Sequence, residues 1–126
     1  MLSRRQLALC ASSRGMKDLA LDYRVAFAET DWEPALGGSA RLKRVAREGK
    51  IFRLLELTPA SHHPDWCETG HLGLVVEGEL EIEFDAKTVR LSAGDALTIP
   101  HGENDRHRPR ALTQRAVLFL IDEDAK

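Results

Sequence analysis

Cys67, His71, Asp105 and His107 are the side chains of this protein best suited to doing chemistry together. Cys67 and His71 lie four residues apart. Asp105 and His107 lie two apart, a spacing that on a strand sets both side chains on one face. A fold that brings the second pair beside the first would gather a thiolate, two imidazoles and a carboxylate, which suits zinc by geometry and ligand softness. Two histidines and one carboxylate with open positions would instead suit ferrous iron. A plainer reading makes Cys67 a buried thiol and His71 an internally hydrogen-bonded imidazole, with the rest lining a pocket. A third pairs Cys67 with His71 or His107 as a thiolate nucleophile, which requires an electropositive, partly exposed site.

Other polar residues carry weaker signals. His62 and His63 stand together in the Pro-flanked stretch P-A-S-H-H-P-D-W-C-E-T, Pro59 to Thr69, and read as solvated, with a ligand or acid–base role as the alternative. His101, between Pro100 and Gly102, reads as an exposed turn residue. Glu68 reads as a surface charge, the alternative being a partner that orients His71. Trp66 could wall the mouth of a cavity or simply pack.

These residues need rigid elements to hold them, and the pattern supplies strands. Leu19 to Ala28 reads as a strand or a short helix, with Tyr23, Val25 and Phe27 on a two-residue period favouring the strand. Trp32-Glu33-Pro34 and Gly37-Gly38-Ser39 mark loops. Ala40–Ala46 and Lys50–Thr58 read as a hairpin across Glu48-Gly49. The prolines make Pro59 to Thr69 irregular. His71–Glu77 and Glu79–Phe84 flank Gly78, and in the second Leu80, Ile82 and Phe84 alternate with outward Glu79, Glu81 and Glu83. Thr88–Leu91, Ala96–Ile99 and Gln114–Ile121 complete the set. Eight to ten short strands with frequent turns predict one all-β domain, a sandwich or small barrel.

The chain has 126 residues, 43% hydrophobic and 30% charged, with a net charge of −2. That balance provides no field for nucleic acid or an anionic membrane, and no apolar run reaches the ~20 residues of a transmembrane helix. Arg106, His107, Arg108 and Arg110 form a local basic run, read as a solvated loop rather than an anion patch. Two cysteines, Cys10 and Cys67, are too few for a disulfide scaffold and point to a reducing, cytoplasmic setting. Ser3 to Leu7 reads S-R-R-Q-L, like a twin-arginine start, yet the apolar stretch Leu7–Ala11 is cut short by Ser12, Ser13 and Arg14. Residues 1–15 are therefore expected to be a disordered extension before a domain spanning 16–126.

His71 to Gly78, H-L-G-L-V-V-E-G, and Gly94 to His107, G-D-A-L-T-I-P-H-G-E-N-D-R-H, resemble the paired motifs of the cupin superfamily. Gly78, Gly94, Pro100 and Gly102 keep the framework spacing. The ligand positions differ: His71 stands where the family has glutamate, Asp65 and Cys67 where it has the first two histidines, and Asp105 where it has the third. The terminal asparagine has no counterpart, and His107 is the residue that could replace the missing imidazole. The resemblance implies a double-stranded β-helix of jelly-roll type, pairing into a homodimer, and a divalent metal, zinc or iron, on Cys67, His71, Asp105 and His107. It leaves three roles open: a metal-dependent enzyme acting on a small organic molecule, a non-catalytic sensor of a metal or small molecule, and a metal-free structural barrel.

Overall fold

The computed structural model describes residues 23–63 and 65–123. Among them nine strands alternate with short turns: β1 (Glu33–Ala35), β2 (Ala40–Arg47), β3 (Lys50–Leu57), β4 (His71–Glu77), β5 (Glu79–Phe84), β6 (Thr88–Ser92), β7 (Ala96–Ile99), β8 (His107–Ala111) and β9 (Ala116–Glu123). They form a six-stranded antiparallel sheet, ordered β1-β2-β3-β9-β4-β7, facing a three-stranded one, ordered β6-β5-β8. The result is a jelly-roll barrel.

Alternation decides which side chains enter it. Leu55 and Leu57 of β3, Val75 of β4 and Ala116, Leu118 and Leu120 of β9 meet Leu80 and Ile82 of β5 and Ala111 of β8 in one core. Each fully buried leucine contributes roughly 1.5–3 kcal/mol by leaving water. On the opposite side of β5, Glu79, Glu81 and Glu83 face solvent and pair with Arg90, Arg110 and Arg108 of the flanking strands. The basic run expected to be a solvated loop is thus mostly the edge strand β8, which tolerates Pro109 because an edge needs fewer backbone donors.

The turns follow from backbone chemistry. Glu48 (φ 52°) and Gly49 (φ 74°) make the two-residue hairpin between β2 and β3, the left-handed pair that matches strand twist. Gly78 has φ +77°, and a Cβ there would lie 2.1 Å from the Arg115 carbonyl oxygen, so the β4–β5 turn demands glycine.

Two local expectations are corrected. Residues 19–22 of the first proposed strand lie outside the described residues; the remainder is not a strand, and Phe27–Glu29 forms a 3₁₀ turn. The Phe27 ring instead packs edge-on against Phe119, 6.1 Å between centroids. Glu33 and Pro34, read as loop, belong to β1, which pairs with β2 as a short edge strand, again with its proline on an edge. No helix among the described residues is long and apolar enough to cross a membrane.

Candidate metal centre

Strand register builds the site. His71 opens β4 directly opposite Asp122 of β9, and Arg53 of β3 lies opposite Leu120, diagonal to Asp122. Arg53 follows the inward parity of Leu55, Asp122 that of Leu120 and His71 that of Val75, so an imidazole, a carboxylate and a guanidinium converge at one end of the barrel. His71 Nδ1 lies 2.5 Å from Asp122 Oδ1. Arg53 Nη2 donates to the same oxygen at 3.3 Å. Arg53 Nε stands 2.8 Å from Oδ2 as an ion pair, its N–H too poorly aligned to count as a hydrogen bond.

The opposite sheet supplies the second imidazole. His107 opens β8, and Cys67 in the irregular loop exchanges two backbone hydrogen bonds with it, each 2.9 Å. That bridge fixes Cys67 beside His107 while leaving it four residues from His71. Cys67 Sγ is 3.8 Å from His71 Nε2. The two rings meet edge to face with centroids 5.0 Å apart. Sulfur and one nitrogen from each ring lie within 4.8 Å of one another. A tetrahedral zinc site holds such donors roughly 3.3–3.6 Å apart, so the widest-spaced donors would close by roughly an ångström or slightly more around an ion.

Both imidazoles are oriented through Nδ1. His71 uses Asp122, and His107 Nδ1 bonds the Asp105 backbone oxygen at 2.9 Å. This turns the Nε2 of each ring toward the group: that of His71 faces the Cys67 sulfur, and that of His107 is buried without a hydrogen-bond partner. Orphaned buried nitrogens are costly unless something fills them. A ring nitrogen fixed from behind by a carboxylate or carbonyl is the arrangement metal-binding histidines use. The donor set fits a borderline-soft divalent ion.

Electrostatics agree with the geometry. Burial pushes the Cys67 thiol up, but the imidazoles of His107 and His71 outweigh it and bring the pKa down to about 5. Burial depresses His71, yet the Asp122 carboxylate and Cys67 leave it raised. Asp122 is held below the usual carboxylate range despite burial, by His71 and Arg53.

Of the four residues proposed from sequence, three come together and Asp105 does not. The two-residue rule for a shared face requires a strand, and Asp105 ends a 3₁₀ turn, Glu103–Asp105, just before β8. Its backbone oxygen, rather than its carboxylate, serves the site. Glu68 is exposed, and the partner that orients His71 is Asp122. Trp66 lies under the guanidinium groups of Arg108 and Arg106, 4.1 and 4.8 Å from its ring centre, and does not line the cavity. His62 and His101 are exposed, whereas His63 turns inward with a buried, unpartnered Nδ1. Arg53 and Asp122 escaped the sequence reading. Their signal was parity: each continues an inward apolar series, Arg53-Leu55-Leu57 and Ala116-Leu118-Leu120-Asp122.

The Cys67–His71–His107 group opens onto a cavity of about 230 Å³. Its walls are largely apolar, including Leu42, Leu55, Ile82, Leu97 and Ile99, with Arg53 and His63 as the polar residues outside the Cys/His group.

A family model for the cupin domain matches residues 55–121, which contain the whole group. The chain belongs to the cupin family. Among solved structures, this cupin is similar to KdgF from Halomonas sp., with 26% identity and a TM-score of 0.62 over 79% of this chain and 91% of that one. An RmlC-like cupin from Shewanella frigidimarina gives a TM-score of 0.64 at 16% identity, covering 84% and 94%. An HTH_3 family transcriptional regulator from Vibrio cholerae gives 0.56 at 18% identity over 70% of this cupin, which spans 52% of the regulator's length. No curated protein matches the sequence.

Proposed function

We propose that this cupin holds a divalent metal, zinc in preference to iron, on Cys67, His71 and His107, and binds a small organic molecule in the adjoining cavity. The observation that carries the reading is the buried, unpartnered Nε2 of His107 facing a thiolate and a second imidazole, with both rings anchored through Nδ1. Iron's two-histidine-one-carboxylate set is not assembled, because the Asp105 side chain lies outside the group and the Asp122 carboxylate is engaged by His71 and Arg53. One sulfur and two nitrogens leave a tetrahedral ion a fourth position for a ligand.

A metal held there supplies a Lewis acid and an acidified water. The protein's own contribution is positional. Asp122 fixes the tautomer and direction of His71, the Asp105 carbonyl does the same for His107, and the leucine walls exclude water. His63 lines the same cavity, and burial lowers its pKa, which favours the neutral ring that could accept a proton from a bound molecule. The second reading, a binding protein or sensor without turnover, draws support from the sparseness of acid–base groups: among the described residues that line the cavity there is no carboxylate. The exposed apolar row Leu72, Leu74 and Val76 on the outer face of β4 supports pairing of two copies.

Zinc content after reconstitution and desalting tests the metal centre. Wild type is expected to retain about one equivalent, and the His71→Ala/His107→Ala variant only a trace. Equal trace amounts in both would remove the metal from the proposal. Consumption of a bound molecule, against binding without turnover, then separates the enzyme from the sensor.

A further inference from the structure

We propose that the cavity, once the metal is bound, selects a small monoanionic ligand, a carboxylate with an apolar body, and that Arg53 anchors its charge. The inference rests on the metal-centre reading above and extends it to the class of ligand.

The argument begins with a charge balance inside an apolar enclosure. A divalent ion and the Arg53 guanidinium are positive. The Cys67 thiolate, deprotonated by coordination, and the Asp122 carboxylate are negative, and both coordinating imidazoles are neutral. The positive charges exceed the negative ones by one. Leu55, Ile82, Leu97, Ile99, Leu118 and Leu120 surround this excess, and among the described residues no acidic side chain lines the cavity to cancel it. An uncompensated charge in a low-dielectric site is expensive. A single negative charge on the ligand removes it, whereas a dianion such as a phosphate monoester would overshoot, and a neutral molecule would leave it standing.

Arg53 is placed to receive that charge. It lines the cavity, and its side chain is 20% exposed. Asp122 occupies it through Nε and Nη2; Nη1 makes no hydrogen bond among the described residues. A guanidinium can serve two carboxylates at once because its donors point in different directions. Without the metal the balance changes: the two positive charges of the ion are gone, and the Arg53–Asp122 ion pair cancels internally, so no positive excess is left. Anion selection should therefore switch on with metal loading.

The test compares butanoate and benzoate with their uncharged amides, by calorimetry on the full chain in zinc-loaded and metal-free form, with zinc content measured for each sample. At least one carboxylate is expected to bind the zinc form tenfold or more tightly than its amide, with the preference absent in the metal-free form. Arg53→Met should reduce that preference at least tenfold while retaining zinc. The zinc-loaded against metal-free comparison in wild type needs no variant, so a misfolded Arg53→Met does not stall the test. Carboxylates and amides binding zinc protein equally, or Arg53→Met keeping the full preference, would overturn the inference and leave the metal centre intact. Failure of wild type to retain zinc would overturn both.

Discussion

Asp122→Asn should weaken zinc binding ten- to a hundredfold, about 1.4–2.7 kcal/mol, with the barrel intact. The carboxylate does two things in the structure. It fixes the His71 ring through Nδ1 at 2.5 Å, and it neutralises Arg53 at 2.8 Å. Because Arg53 stands against the same carboxylate, the pair's long-range fields largely cancel at the metal, and the effect of Asp122 on affinity is the local one on His71. Asparagine keeps an acceptor but loses the charge. It also strands Arg53, at a stability cost of about 1–3 kcal/mol, below that of a fully buried pair because Arg53 is partly solvated. The two costs separate in the Arg53→Met/Asp122→Asn double variant, which should recover stability without recovering zinc affinity. Competition against a chromophoric chelator gives the affinity, and chemical denaturation of the metal-free proteins gives the stability. The loss should be larger at pH 8 than at pH 6. Removing Asp122 lowers the raised proton affinity of His71, and at low pH that eases proton competition and offsets part of the damage. Zinc affinity within threefold of wild type at pH 8 would refute the claim that Asp122 orients a metal ligand.

Two further outcomes are expected. With its pKa near 5, metal-free Cys67 should react with iodoacetamide at a rate that is nearly flat from pH 6.5 to 8 and falls only as pH approaches 5, and zinc should protect it; a tenfold rise per pH unit through neutrality would show an ordinary thiol. Gly78→Ala should cost about 2–4 kcal/mol by chemical denaturation, since the new Cβ meets the Arg115 carbonyl at 2.1 Å in a left-handed turn, and a loss under ~0.5 kcal/mol would mean that the β4–β5 turn relaxes freely.

How far the sequence reveals this protein depends on how regular each segment is. β4 and β5 are legible to the residue, β4 as a short apolar run ended by Gly78 and β5 by the apolar–acidic alternation that begins beyond it. β8 is hidden: H-R-P-R-A has the composition of a loop, and its pairing depends on glutamates of β5, 25 to 29 residues earlier, that no local pattern reveals. Asp105 was placed by a strand rule in a segment that winds as a 3₁₀ turn. Cys67, His71 and His107 could be named from donor type and spacing, and their convergence was supplied by the barrel. Asp122 sits just past the apolar run of β9 in an acidic ending and resembles a solvated tail. Its role depends on facing His71 across a register that only the assembled sheet defines.

His71 belongs to the large sheet and His107 to the small one, with Cys67 tethered to the latter through the backbone. An ion shared by all three would act as a rivet between the two halves of the sandwich, at the end where the cavity opens. Departure of the ion would then loosen the seam itself as well as emptying a coordination sphere, so that mechanical closure and ligand capture would be governed by the same bond.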